Sequence, residues 1–208
     1  MLQSYFTGLV VCGGIIVAIG AQNAYLLGQA FRREHHWWSA VLCMSSDALL
    51  FTAGMLGVSA ALAAVPSALE VLRWAGVAFL LWLALLAAGR AWRGRSTLTA
   101  KETTRRSLGA VIATTLAVTL LNPQVYLDTL LLIPAVGVQQ PEPMVFIAGA
   151  TTASILWFTL LAWGGAALAP VLRKPGAWRM IDGTIALIML AIGLHLGVNG
   201  IVMPSMAA

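Results

Sequence analysis

Charged residues are scarce in this sequence. Only 9% of its 208 residues are Asp, Glu, Lys or Arg, whereas 60% are hydrophobic and the mean hydropathy is +0.90. A soluble domain carries about 25% charged residues, because its surface faces water. The deficit excludes a water-soluble globular protein and predicts an integral membrane protein in contact with lipid. The net charge of +5 does not indicate a nucleic-acid partner, since the basic residues fall in short clusters between apolar segments.

Cysteines and clustered metal ligands are also scarce. The two cysteines, Cys12 and Cys43, lie alone in different apolar segments, with no C-x-x-C pair and no His/Cys cluster. Isolated cysteines of this kind are typical of small packing residues. The sequence also has no paired nucleophile and base. It therefore predicts neither an enzyme nor a site for a metal or a cofactor.

Six apolar segments are long enough to cross a membrane as helices. A spanning helix needs about 20 predominantly apolar residues. The predicted spans are residues 4–28, 38–64, 69–91, 108–133, 143–169 and 179–200. The connections between them are too short to hold a soluble domain. We therefore expect an all-α integral membrane protein with a single membrane domain over residues 1–208.

Basic residues are distributed unevenly between the two sides of these spans. Of the 12 Lys and Arg residues, only Arg73 lies on the side of the membrane where the even-numbered spans end. The others follow spans one, three and five, and they are Arg32, Arg33, Arg90, Arg93, Arg95, Lys101, Arg105, Arg106, Arg173, Lys174 and Arg179. Because basic loops stay in the cytoplasm, this bias predicts that the loops after spans one, three and five are cytoplasmic. Both termini are then expected on the periplasmic side.

The two halves of the chain resemble each other weakly. At an offset of 107 residues Asp47 is matched by Ser154, and at an offset of 102 residues Gln22 is matched by Gln124. Two three-helix units in one chain must have opposite orientations, as in many secondary transporters. We therefore expect six transmembrane helices arranged as two inverted three-helix repeats. The expected division is repeat one over about 1–92, a cytoplasmic loop over about 93–107 and repeat two over about 108–208.

Two acidic residues, Asp47 and Asp128, lie within apolar spans. A carboxylate at such depth is unfavourable by about 2.5–3.5 kcal/mol on insertion scales, so its presence favours a functional role. A structural ion pair is the alternative, yet no Lys or Arg lies deep in any predicted span. Asp128 also follows Asn122-Pro123, which interrupts helical hydrogen bonding. A charge beside broken backbone is typical of polar binding sites in membrane proteins.

Carboxamides and a few other polar groups lie close to these acids. Gln22 and Asn23 are adjacent at membrane depth near Gly20, where unpaired amides are strongly unfavourable. Gln124 lies one helical turn before Asp128 and shares its helix face. Such groups either join spans through hydrogen bonds or line a substrate cavity. The candidate binding residues are Gln22, Asn23, Ser46, Asn122, Gln124 and Tyr126, and the candidate helix breaks are Gly20 and Pro123.

Polar residues of the last span are interpreted as structural. Arg179 and Asp182 are three residues apart near its start, which predicts an interfacial ion pair with the acid close to a helix N-terminus. His195 stands alone in apolar sequence and is interpreted as a packing residue.

Two stretches resemble the signatures of the LysE-type basic amino acid exporters. They are residues 18–36 (AIGAQNAYLLGQAFRREHH) and residues 121–129 (LNPQVYLDT). The resemblance covers nearly the whole chain, and it implies export of lysine or arginine across the bacterial inner membrane, driven by the proton-motive force. It also implies that Asp47 and Asp128 are essential. Many members have proline at the position of Ala21, so the resemblance supports a sharp break in span one less firmly than in span four.

These observations lead to a hypothesis for the site. Asp47 and Asp128 bind the cationic side chain of a basic amino acid, or a proton in its place, while nearby carboxamides hold the α-amino and carboxylate groups. The partners are then this substrate, protons and membrane lipid. The small-residue face Gly164–Ala167 could pack within the protomer or join two copies of the chain. Three alternatives stay open: export of a neutral amino acid or another small solute or cation, a membrane-embedded enzyme, and a purely structural protein.

Overall fold

The computed structural model describes residues 1–17, 20–57, 66–93, 106–170 and 175–199, and the regular structure in these ranges is entirely helical. This confirms the expected all-α character for the described part of the chain. The helices are α1 (Leu2–Ile16), α2 (Ala21–Arg32), α3 (His36–Met55), α4 (Pro66–Arg93), α5 (Leu108–Leu120), α6 (Pro123–Tyr126), a π-helix (Leu127–Leu132), α7 (Ile133–Gly137), α8 (Pro143–Leu168) and α9 (Pro175–Asn199). The end of the second predicted span and most of the predicted cytoplasmic loop lie outside the described residues.

Three helices are long and apolar enough to cross a membrane by themselves. They are α3, α8 and the part of α9 from Arg179 to Val198. Within α4, the stretch Arg73–Gly89 is also apolar. Two bent pairs of helices each have the length and composition of one span, which raises the total to as many as five. The described residues therefore support a protein of several spans, whereas six spans stay a prediction.

Both bent pairs fall where the sequence predicts a helix break. The axes of α1 and α2 differ by 79° across Gly20, and the axes of α5 and the helix Gln124–Gly137 differ by 63° across Asn122. The sharp break in the first span, which the alanine at position 21 left less assured, is therefore present. Gly20 has an extended backbone and begins α2, so this turn forms with alanine at position 21 and needs no proline.

The closest helix packing joins α1 to α8. A Cβ atom added to Gly8 would lie 2.0 Å from the carbonyl oxygen of Phe146, and one added to Gly149 would lie 2.0 Å from the carbonyl oxygen of Tyr5. Small residues at such positions let two backbones touch, which is a common source of helix association in membranes. Cys12 continues this interface as a fully buried apolar residue, in agreement with its predicted packing role.

Arginine side chains connect α4 and α9 at both ends. Near the start of α4, Arg73 donates from Nε to the carbonyl oxygen of Leu196 (2.9 Å) and from Nη2 to that of Gly197 (2.7 Å). At the opposite end, Nε of Arg179 donates to the carbonyl oxygen of Ala91 (3.2 Å). The two helices are therefore antiparallel. Both sets of bonds use carbonyl groups near a helix C-terminus, which have no partner within their own helix.

The contact between α1 and α8 predicts a position-specific loss of stability. Gly8→Ala should lower the free energy of unfolding by about 1–3 kcal/mol, because its methyl group forces the two backbones apart. Gly13→Ala in the same helix is the matched control, since a Cβ atom there meets nothing within 4 Å. Alanine is also the better helix former. Thermal unfolding of both variants in detergent measures the difference, and equal stability would contradict this packing.

Candidate functional site

A cavity of about 470 Å³ lies between α2, α3, the π-helix and α9. Most of the predicted polar residues meet on its wall, although they come from distant parts of the chain. The predicted residues that line it are Gly20, Gln22, Asn23, Asp47, Asn122, Gln124 and Asp128. Apolar side chains such as Ile16, Phe51 and Ile192 form much of the remaining wall. A mostly apolar cavity with a few convergent polar groups is typical of a small-molecule site.

Asp47 is the more deeply buried of the two acids. It belongs to α3, it is 2% exposed, and its Oδ2 accepts a hydrogen bond from Oγ of Ser154 on α8 at 2.7 Å. Ser154 is also the residue that matches Asp47 at an offset of 107 in the sequence. Residues related by a two-fold axis come into contact when they lie on that axis. The two residues that the sequence offset pairs are therefore in direct contact.

Asp128 lies on the π-helix and is only partly buried. Nε2 of Gln124 donates to its Oδ1 at 2.9 Å, as the spacing of one helical turn predicts. The π-helical conformation was not predicted. Such wide turns inside helices are frequent at functional sites.

The two acids of the cavity are held by neutral donors. Within the described residues neither Asp47 nor Asp128 forms a salt bridge, and their side-chain donors are Ser154 and Gln124. The salt bridges found in the same ranges join Arg32 to Asp182 and Arg73 to Glu70, which do not line the cavity. A buried carboxylate without a cation is strongly unfavourable. The cavity can therefore stabilise a cation or a bound proton.

Polar side chains bind the backbone groups that the helix breaks leave without helical partners. Nδ2 of Asn23 donates to the carbonyl oxygen of Ile16 (2.8 Å) at the first break. At the second break the hydroxyl of Tyr126 donates to the carbonyl oxygen of Leu120 (2.8 Å). Asn122 caps the next helix, because its Oδ1 accepts from the backbone N–H of Gln124 (3.1 Å). These contacts give the three side chains a structural role at the helix breaks.

The N-terminus of α2 points into the cavity. Gly20, Ala21, Gln22 and Asn23 all line it, and the first helical bond of this segment runs from the N–H of Ala24 to the carbonyl oxygen of Gly20 (3.0 Å). The preceding N–H groups thus have no helical acceptor, and they carry the positive end of the helix dipole. Nε2 of Gln22 is buried and has no hydrogen-bond partner among the described residues. This wall is suited to an anionic group such as a carboxylate.

The remaining predicted residues have other surroundings. Ser46 and Tyr126 do not belong to the cavity wall formed by the described residues. Pro123 begins α6 at the second break, as predicted. Binding roles for Ser46 and Tyr126 stay predictions, and the bond from the Tyr126 hydroxyl to Leu120 already occupies its donor. In the described ranges no group of three or more His, Cys, Asp or Glu side chains could hold a metal ion.

Two assignments for the last span need revision. His195 lines the cavity, although the sequence suggested a packing residue. The signal that could have placed His195 on the cavity wall was its position as a single polar residue in apolar sequence, which it shares with Asp47 and Asp128. Asp182 is fully buried and binds Arg32, whereas Arg179 binds the carbonyl oxygen of Ala91, so the predicted pair of Arg179 with Asp182 is wrong. No local pattern could predict a contact between residues 150 positions apart.

Comparisons with known proteins agree with a transport site. A family model described as LysE type translocator matches residues 14–200. The arginine exporter protein ArgO of Enterobacter sp. (strain 638) is 42% identical over 203 residues, which cover 97% of this chain and 96% of the relative. The arginine exporter protein ArgO of Yersinia enterocolitica serotype O:8 is 39% identical over 203 residues, 97% of this chain and 99% of the relative. No solved structure matches the chain significantly.

The hydroxyl of Tyr126 should stabilise the second helix break. Tyr126→Phe leaves the carbonyl oxygen of Leu120 without this donor and should lower the free energy of unfolding by about 0.5–1.5 kcal/mol. Tyr5→Phe is the matched control. The bond from Tyr5 goes to Oγ1 of Thr152, whose own hydroxyl still donates to the carbonyl oxygen of Ala148. Thermal unfolding in detergent should therefore show the larger loss for Tyr126→Phe, and a larger loss for Tyr5→Phe would contradict the assignment.

Proposed function

The chain belongs to the LysE type translocator family, and on this basis we propose that it exports a basic L-amino acid, arginine or lysine, across the bacterial inner membrane. Translocators move their substrates without chemical change, so the protein is a transporter and not an enzyme. The observation that carries the choice of substrate is the cavity, where Asp47 and Asp128 lie together without a cationic side chain among the described residues. Two relatives named as arginine exporters support the same choice.

The polarity of the cavity fits a basic amino acid in one orientation. Asp47 and Asp128 bind the cationic side chain, since both acids lack a protein cation in the described ranges. The α-carboxylate lies at the N-terminus of α2, where backbone N–H groups and Nε2 of Gln22 offer donors. Half-helix N-termini bind anionic substrate groups in other transporters in the same way. Asn122 and Gln124 complete the polar wall.

Proton exchange supplies the driving force in this proposal. Export of a cation from a negative cell interior opposes the membrane potential by about 2.3 kcal/mol per charge per 100 mV. A proton that enters as the substrate leaves offsets this energy. Asp47 and Asp128 can each bind a proton or the substrate cation, but one carboxylate does not bind both at once. This competition couples the two movements.

The proposed architecture is six crossing segments in two inverted repeats. Each repeat begins with a bent pair of helices. In the first repeat α1 is followed by α2, and in the second α5 is followed by the helix Gln124–Gly137. Gln22 and Gln124, which match in sequence, both line the cavity. The contact between Asp47 and Ser154 supports the same symmetry. The central cavity then lies at the interface of the repeats, as in other transporters with this plan.

The arginine-rich end of the bundle is proposed to face the cytoplasm. Arg33 donates to the carbonyl oxygen of Ala166 near the end of α8 (3.1 Å and 2.8 Å from its two nitrogens), and Arg32 binds Asp182 on α9. Arg179 binds the end of α4 at the same side. Basic residues concentrate on the cytoplasmic side of membrane proteins. The opposite end, with Arg73 and Glu142, then faces the periplasm together with both termini.

Neutralising either acid of the cavity should abolish transport. Asp47→Asn and Asp128→Asn each remove a negative charge that binds the substrate cation or the proton, so efflux of labelled arginine from loaded proteoliposomes should fall to background. The assay is run with and without an imposed pH gradient, which should accelerate efflux by the wild type but not by either aspartate variant. Glu142→Gln, which changes an exposed acid outside the cavity, is the matched control and should retain the wild-type rate.

Competing amino acids test the substrate class in the same assay. Unlabelled lysine should slow arginine efflux, whereas threonine should not. Normal efflux by Asp47→Asn or Asp128→Asn would exclude the proposed role for that residue, and competition by threonine alone would favour a neutral substrate.

Cysteine labelling tests the orientation. Cys12 and Cys43 are buried, so the background should be low. Glu142→Cys should react with a membrane-impermeant maleimide on intact cells. Gly109→Cys, at an exposed position with room for a side chain near the arginine-rich end, should react only after permeabilisation. The reverse pattern would invert the orientation. Labelling of both residues on intact cells would place them on the same side of the membrane, which would contradict a single crossing between them.

A further inference from the structure

Beyond the cavity, toward the arginine-rich end, α2 and α9 close against each other. Asn23 on α2 and Ala191 on α9 lie on the cavity wall. Arg32 follows Asn23 by nine residues, and Asp182 precedes Ala191 by nine, which is about 14 Å along each helix. A Cβ atom added to Gly28 between these levels would lie only 2.9 Å from Cδ1 of Ile185. The path from the cavity to this end is therefore filled by packed side chains in the described conformation.

The ion pair of Arg32 with Asp182 lies at the outer limit of this closed segment. Nη2 of Arg32 donates to Oδ1 of Asp182. The carboxylate side chain is fully buried, whereas the arginine side chain is 26% exposed. Arg33 holds the end of α2 on α8 through the carbonyl oxygen of Ala166 (2.8 Å from Nη2). Arg32 can therefore reach water by a change of side-chain conformation, but Asp182 cannot do so while the helices stay packed.

The unequal burial makes opening depend on a cation. Separation of a buried ion pair is unfavourable because it takes a cation away from a desolvated carboxylate. The loss becomes small if another cation takes the same place. The substrate proposed for this protein carries such a group, and the guanidinium of arginine is chemically the same group that Arg32 presents to Asp182.

We propose that Asp182 is a second substrate-binding position, an access site at the arginine-rich end where the side chain of an incoming basic amino acid replaces Arg32. This inference rests on the proposed export of a basic amino acid. In the closed state Arg32 occupies the site and α2 stays against α9. Substrate at Asp182 releases Arg32, which lets the helices separate and the substrate pass to Asp47 and Asp128. Access is thereby opened by the cargo itself.

Two single substitutions separate this role from a merely structural one. Asp182→Asn removes the acceptor for the substrate and should raise the KM for arginine supplied at the arginine-rich end by about tenfold or more. Arg32→Gln removes the competing cation, so the same KM should stay unchanged or fall. Arginine supplied at the opposite end should give a wild-type KM in both variants. Initial rates in oriented proteoliposomes measure these values, and thermal unfolding shows whether each variant is folded.

A reversible cross-link provides a second test that does not depend on Asp182→Asn folding well. Gly28→Cys and Ile185→Cys, which face each other between α2 and α9 and leave Arg32 and Asp182 in place, are combined and joined by a short reducible bis-methanethiosulfonate. Arginine transport should stop and return after reduction, while arginine added at the opposite end should still stabilise the cross-linked protein against heat.

The outcomes distinguish this inference from the proposed function. An equal rise in KM for both single variants would make the ion pair purely structural, and so would full transport by the cross-linked protein. An unchanged KM for Asp182→Asn would exclude Asp182 as a substrate contact. In each of these cases wild-type transport leaves the proposed function intact. A wild type that moves neither arginine nor lysine would overturn both.

Discussion

Burial of negative charge is the constraint around which this molecule is organised. Asp47 and Asp128 lie in a mostly apolar bundle, and in the described ranges only neutral donors bind them. An interior of low polarity does not stabilise two such carboxylates unless a cation or a proton is bound. The cavity beside them is the place where either can bind. In the proposed mechanism, the need for an exchangeable positive charge connects the stability of the bundle with its transport activity.

The broken helices make such a site compatible with a membrane. An interrupted helix leaves backbone N–H and C=O groups without partners, which hydrocarbon does not tolerate. Asn23 and Tyr126 bind the carbonyl groups freed at the two breaks, and Asn122 caps the helix after the second one. The N–H groups at the start of α2 face the cavity instead. Polar backbone is thus exposed only where a substrate or water can bind it.

Local sequence patterns predicted much of this arrangement. Apolar runs indicated the helices, and the acids and carboxamides in those runs indicated the wall of the cavity. The sequence supported the bend at Gly20 less firmly than the one at Asn122, because position 21 is alanine and not proline, so tertiary packing and not a rigid residue sets this turn. The contact of Arg32 with Asp182 and the position of His195 on the cavity wall depend on how distant helices meet. The spacing of residues within one helix does not predict such contacts.

The touching backbones of α1 and α8 have a mechanical consequence. At Gly8 and Gly149 each helix fits into the other with no side chain between them, so neither can slide or roll without a clash along its main chain. Where side chains interdigitate, as between Gly28 and Ile185, a change of rotamer can absorb small displacements. The pair α1 and α8 therefore forms the stationary frame of the molecule. Relative motion is easier where side chains interdigitate, as at the interface of α2 with α9.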